Sequence, residues 1–213
     1  MTIVADDRPT GRGTARGRLL DAAVDVIRGR GLAATTVDDL CAAAGVTKGA
    51  FFHHFESKQA LAVAAAEHWS HTTGALFAAA DYHDLDDPIE RIFGYLALRE
   101  QLIEGSPADY TCLVGTMTQE AFATHPEVRN ACADSIFGHA ATLAPDFEAA
   151  LAKVGNPHGV DAAGLATYTQ GVLQGSFVLS KAADDPALVH DGIAHLRRYL
   201  EFLFTPLTEG DQT

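Results

Sequence analysis

Apolar residues return along this chain every three or four positions, and alternation with a period of two is almost absent. That spacing predicts helices and no sheet. A first helix is expected from about Ala15 to Arg28, because Leu19, Ala22, Ala23, Val26 and Ile27 fall on one stripe. Gly29 and Gly31 stop it. Thr36 is placed to cap a second helix, with Asp38 and Asp39 in its first turn, where the helix dipole favours negative charge. Val37, Leu40, Cys41 and Ala44 share its inner face, and Gly45 ends it. Val46 then plugs the core, Thr47 caps a short third helix through Phe55, and Ser57 caps a long fourth one to about Ala80.

The rest of the chain repeats the helical pattern. "DPIERIFGYLALREQLIEG" predicts a helix with Pro88 near its first turn and Gly105 past its end. "ADYTCLVGTMTQEAFAT" predicts one further helix. The segment after it starts at Pro126 and is expected to kink or break at Pro145. Two more helices follow the loop "GNPHG", at about 161–183 and 186–204. The expected fold is all-α, with an arm over 1–14, a helix-turn-helix unit over 15–60, a larger helical domain over 61–205 and a tail over 206–213.

Charge separates these parts. The 213 residues carry a formal charge of −13, yet residues 1–60 hold eight Lys or Arg against seven Asp or Glu. Residues 61–213 hold seven against twenty-one. Four arginines (Arg8, Arg12, Arg16 and Arg18) fall in the first 18 residues, so an anionic partner is expected at the N-terminal end. The start has no apolar signal segment and no stretch approaches the roughly 20 apolar residues of a membrane span, which predicts a cytoplasmic protein without a membrane partner. Ten histidines invite a metal, but the sequence has no HExxH, GxSxG or phosphate-binding loop, and "GRGLAA" follows a helix and not a strand. No catalytic residue, metal ligand or cofactor is expected.

The stretch "TKGAFFHHFESKQAL" carries the sharpest signal. At 100° per residue, Phe51 and Phe55 point together into the core, and Gly49 and His53 lie opposite. Ala50 and Phe52 flank that outer face, and Lys48 can reach it. A small, basic and aromatic face suits a helix pressed into a DNA major groove. Lys58 is a cation at a helix start, where the dipole disfavours it unless a phosphate lies beside it.

"TTVDDLCAAAGVTKGAFFHHFESKQAL" closely resembles the helix-turn-helix of the TetR family of bacterial transcriptional regulators. The resemblance implies a homodimer that binds a palindromic double-stranded operator and is released by a small-molecule effector held in a C-terminal helical domain, which also dimerises. It implies that Lys48, Gly49, Ala50, Phe52 and His53 face bases, while Thr36, His54 and Lys58 meet phosphates. The family often has Tyr where this chain has Phe52. Phe cannot donate to a phosphate, so apolar contact, as with a thymine methyl, replaces that bond.

In the larger domain, Gly171 and Gly175 lie on one helix face, and Leu196, Leu200 and Leu203 form a stripe on the last helix. Both are expected in the dimer interface. Trp69, Phe77, Tyr95, Met117, Glu120, Phe122, Phe137, Tyr168, Gln174 and Phe177 are the candidate lining of an effector pocket. The acidity of residues 61–213 favours a neutral or cationic effector. An alternative is a thiol-based redox-sensing regulator using Cys112 or Cys132.

Overall fold

The computed structural model describes residues 13–205. Arg8 and Arg12 of the expected arm, and the expected tail 206–213, lie outside the described residues. Among the described residues there are ten α-helices: α1 (Ala15–Arg30), α2 (Val37–Ala44), α3 (Lys48–His54), α4 (Lys58–Ala78), α5 (Pro88–Gln101), α6 (Pro107–Tyr110), α7 (Leu113–Ala121), α8 (Pro126–Lys153), α9 (Ala162–Ala183) and α10 (Ala187–Leu203). A short 3-10 turn at Asp81–Asp84 joins α4 to α5. No described helix is long and apolar enough to cross a membrane.

Caps set the boundaries of the first four helices. Thr14, Thr36, Thr47 and Ser57 each accept a hydrogen bond from a backbone N–H of the first turn, which satisfies one of the donors a helix start leaves open. Asp39 reaches back to the Thr36 N–H and completes a capping box. Gly31 ends α1 at φ +88°, and Gly45 ends α2 at φ +62°.

The helix breaks differ from the expected ones at two places. "ADYTCLVGTMTQEAFAT" is two helices, because Thr111 is extended at φ −81° and ψ 166°. Its buried hydroxyl bonds the Pro107 carbonyl, and its own carbonyl accepts from Arg28 Nε at 2.7 Å. These bonds replace the helical one. Pro145, by contrast, does not break α8. Leu143 and Phe147 on either side of it are buried with Ala150 and Leu151, so packing outweighs the roughly 3 kcal/mol of an interior proline.

The apolar core does not divide at residue 60. One buried cluster joins Leu19, Ile27, Leu40, Phe51, Phe55 and Leu61 to Leu113, Met117, Val128 and Cys132. The first half of α4 therefore packs on α1 at one side and on α7 and α8 at the other. A second cluster holds Phe77, Tyr95, Phe147, Leu173, Ile193 and Leu196 around α5, α8, α9 and α10.

Polar bonds add to this joint. Glu120, at the end of α7, accepts the Ala33 N–H at 2.7 Å. Lys181 of α9 donates to the Arg28 carbonyl at 3.0 Å and to Thr116 Oγ1 at 2.8 Å. Gly31 sits in the middle of it, since a Cβ there would meet Glu120 Oε1 at 2.1 Å. We expect Gly31→Ala to destabilise the protein by about 1–3 kcal/mol, from the positive φ and from loss of the Glu120 contact. Gly29→Ala, inside α1 with its nearest neighbour at 3.8 Å, should be neutral or stabilising by up to about 1 kcal/mol. Paired urea melts check both, and equal effects would remove this account of the joint.

Candidate nucleic-acid interface and ligand cavity

The α2–α3 turn presents the face that the helical angles predict. Phe51 and Phe55 are buried and fix α3 against α1 and α2. Lys48, Gly49, Phe52 and His53 are exposed, while Ala50 and His54 are half-buried. Phe52 is 52% exposed and packs edge-on against Phe51, at 5.2 Å between ring centroids. No added Cβ on Gly49 would touch anything closer than 3.8 Å, so the face is flat there. Lys48 Nζ pairs with Asp38 Oδ1 of α2 at 2.8 Å, and the hydrogen bond and charge of Asp38 raise its pKa. Both side chains are solvent-exposed, so the pair is weakly held and can be traded for a phosphate or base.

Two phosphate expectations need correction. Lys58 does not point its ammonium outward: Nζ donates to the Leu32 and Thr35 carbonyls, each at 2.8 Å. A cation is tolerated at this helix start because it staples the α1–α2 loop. Thr36 also lacks a free donor, because its hydroxyl and its N–H both go to Asp39 Oδ2, at 2.7 and 2.9 Å. The Asp39 carboxyl is held below its usual range, first by the Thr36 side chain and then by the Thr36 backbone.

A cavity of about 250 Å³ opens between α4, α5, α6 and α9, lined by Trp69, Phe77, Arg99, Leu102, Tyr110 and Phe177 among others. A second of about 200 Å³ shares Trp69, Thr73, Phe77 and Arg99 and extends toward His139 on α8. Arg28 of α1 also lines the larger one and lies 5.0 Å from the Trp69 ring. Burial lowers the Arg28 pKa against the opposing fields of Asp25, Cys112 and Asp109.

The cavity keeps Trp69, Phe77 and Phe177 from the expected lining, with Tyr95 bonded behind it. Six others are misplaced. Met117 is fully buried in the core cluster below α1. Glu120 is committed to Ala33. Phe122, Phe137 and Tyr168 are exposed, at 59%, 58% and 51%. Gln174 packs on Gly115, where a Cβ would meet its Oε1 at 2.1 Å. Arg99, His139, Leu102 and Tyr110 were not among the expected residues. The one available signal was Tyr95 and Arg99 at i and i+4 on the same helix face.

His139 lines the smaller cavity beside Arg99. Burial, and then the charge of Arg99, push its pKa down to about 3. The unfolded chain takes up this proton near 6.5, so stability should fall as pH drops from about 6.5 toward 3. Chemical denaturation at pH 7 and pH 5 should show a smaller loss in His139→Gln than in the natural chain. Equal losses would contradict the burial argument.

The predicted dimer face also needs correction in part. Gly171 and Gly175 are exposed on α9, with open space around an added Cβ. Leu196, Leu200 and Leu203 instead face inward, at 2%, 0% and 3% exposure, and fill the subunit's own core. The exposed large apolar residues of α10 are Tyr199 and Phe202. Tyr199 packs edge-on against Tyr168 of α9, at 5.4 Å between ring centroids, and Val178 and Leu179 continue the exposed apolar stripe.

All three cysteines are free. Burial raises the Cys41 thiol and pushes Cys132 up to about 11, which disfavours the reactive thiolate at both. Among the described residues no group of three or more His, Cys, Asp or Glu side chains is placed to hold a metal ion. His68 bonds Asp21 Oδ1 at 2.9 Å.

Residues 19–65 match the family described as bacterial regulatory proteins, tetR family, and residues 88–196 match the tetracyclin repressor-like C-terminal domain. The HTH-type transcriptional repressor KstR2 of Rhodococcus jostii is 43% identical over 61 residues, which span 29% of this chain and 30% of that protein. The HTH-type transcriptional repressor DhaR of a Mycobacterium species is 28% identical over 109 residues, 51% of this chain and 53% of that one. The solved TetR-family regulator from Chloroflexus aurantiacus superposes with a TM-score of 0.76 at 24% identity, over 90% of this chain and 96% of that chain. That from Rhodobacter sphaeroides gives 0.75 at 23% identity, over 87% and 98%. Matches to both the N-terminal and the C-terminal family domains, in their proper order, make this chain a member of the TetR family of bacterial DNA-binding transcriptional regulators.

Proposed function

We propose that this protein is a homodimeric repressor that binds a palindromic operator through α3 and leaves it when a small molecule fills the Trp69–Phe77–Arg99 cavity. On this reading residues 15–60 read DNA, and residues 61–205 hold the effector and the partner subunit. Lys48, Gly49, Ala50, Phe52 and His53 face bases, and His54 approaches a phosphate. The observation that carries the proposal is the position of Arg28. It belongs to α1 of the DNA-reading unit, yet it lines the cavity beside Trp69 of α4. A ligand there touches both units at once. The 21-residue α4, about 32 Å long, links the cavity to the Phe55–Ser57 connection that follows α3.

The effector must bind the DNA-incompetent arrangement better. A 100-fold loss of operator affinity needs a coupling of about 2.7 kcal/mol, and operator DNA must weaken effector binding by the same factor. Titrating effector with and without saturating operator tests this. Equal affinity in both conditions would leave the cavity without a regulatory role. The thiol-sensing alternative gains no support from the relatives, and burial speaks against it at Cys132.

A further inference from the structure

Arg99 is a cation without a counter-ion at the wall of the cavity. Its guanidinium carries five N–H donors. Nε donates to the Tyr95 hydroxyl at 2.8 Å, and Nη2 donates to His139 Nε2 at 2.9 Å. Among the described residues no other protein acceptor takes the remaining three, and no carboxylate lies within ion-pair reach. Arg91 on the same helix provides the contrast. Its Nε meets Asp146 of α8 at 2.7 Å, whereas Arg99, two turns further along α5, meets the neutral His139 two turns back along α8.

The other neighbours of Arg99 are equally uncharged. Its guanidinium carbon lies 4.2 Å from the Phe77 ring centroid and 5.2 Å from that of Tyr95. The Tyr95 hydroxyl also accepts from Gln170 Nε2 at 3.0 Å and lies 3.1 Å from His139 Nε2. His139 accepts on Nε2 and stays unprotonated, as its burial requires. The network fixes the orientation of the guanidinium without neutralising it. Partly buried charges are ordinarily paired. The one carboxylate lining the larger cavity, Asp109, is bonded to the Ser106 N–H and hydroxyl and lies in the field of Arg28.

We infer that the cavity takes a small organic carboxylate, whose head group pairs with the free edge of Arg99 and whose apolar body lies among Trp69, Phe77 and Phe177. This rests on the reading of the cavity as the effector site. A guanidinium fork matches a carboxylate in two parallel hydrogen bonds. The enclosed volume of about 250 Å³ is below the roughly 300–1,000 Å³ of drug-sized sites and suits one ring with a short acid arm. The acidity of residues 61–213 does not override this, because exposed charges beyond about 8 Å are largely screened at physiological salt.

The test uses the single tryptophan of the chain, which lines both cavities. Trp69 fluorescence is titrated with 3-phenylpropionate, 3-phenylpropanamide and 3-phenylpropylamine in the full chain and in Arg99→Gln and Arg99→Lys. The acid should bind at least tenfold more tightly than the amide, and the amine more weakly than either. Arg99→Gln should abolish the preference while keeping amide binding, which also reports an intact fold, and Arg99→Lys should keep part of it. The proposal is overturned if no compound perturbs Trp69 at millimolar concentration, if acid and amide bind equally, or if the preference survives in Arg99→Gln. Operator affinity is measured in parallel. An Arg99-dependent preference for the acid with unchanged operator affinity upholds the carboxylate site and sinks the effector reading. Loosened operator binding by acid and amide alike does the reverse.

Discussion

Placing glutamates at Leu179 and Phe202 should convert the protein into a folded monomer that has lost specific operator binding. Both side chains are among the most exposed apolar groups of the chain, at 57% and 60%, so the substitutions remove nothing from the subunit core. They lie on neighbouring helices whose outward stripe also contains Tyr168, Gly171, Gly175, Val178 and Tyr199. A self-complementary patch of this kind suits a two-fold dimer. Four carboxylates brought together across that axis would repel and be desolvated. Light scattering at micromolar concentration should give a monomer mass, with a helical circular dichroism spectrum unchanged. Apparent operator affinity should fall by about 100-fold or more, because one half-site contributes only part of the binding free energy. A dimer of normal stability would show that the pairing surface lies elsewhere.

The second large effect is expected at Lys58. Lys58→Met should destabilise the protein by about 2–4 kcal/mol, since two carbonyls of the α1–α2 loop lose their donor and each uncompensated group costs about 1–3 kcal/mol. The salt dependence of operator binding, measured where the variant is folded, should not change. Lys48→Ala should behave in the opposite way. Its Asp38 partner is exposed, so stability should hardly move, while the slope of log K against log salt should fall by about two for a dimer if each Lys48 meets a phosphate, or base preference should relax if it meets a base. Denaturant melts and binding isotherms over a salt series separate the two lysines. A reduced slope with unchanged stability in Lys58→Met would restore it as a phosphate contact.

The contrast between these lysines shows what the sequence can convey. Caps, glycine stops and the i, i+4 pair Phe51 and Phe55 act within a few residues, so the helix-turn-helix and the outer face of α3 could be read in advance. The partner of Lys58 is 23 to 26 residues away, and only the folded loop brings those carbonyls to the ammonium. The last helix fails for a related reason. Leu196, Leu200 and Leu203 make its strongest apolar stripe, and periodicity says that such a stripe is buried but not against which chain. The weaker stripe of Tyr199 and Phe202 is the one left outside.

The cavity was legible only as a concentration of aromatics. Trp69, Phe77 and Phe177 do meet there, but so does Arg99, whose significance depends on α8 presenting His139 to it where it presents Asp146 to Arg91. Met117 and Glu120 share α7 with no cavity residue, because that helix packs toward α1. Segmental averages of charge were misleading in the same way, since a net acidic domain can surround an unpaired cation.

The most direct test of the central claim is selection of bound genomic fragments by the purified protein, followed by footprinting of the recovered site. The account predicts protection with dyad symmetry, half-sites about one helical turn or a near multiple apart, and loss of the footprint in the Leu179→Glu, Phe202→Glu variant. A protected site without two-fold symmetry, or no fragment retained above background, would contradict it.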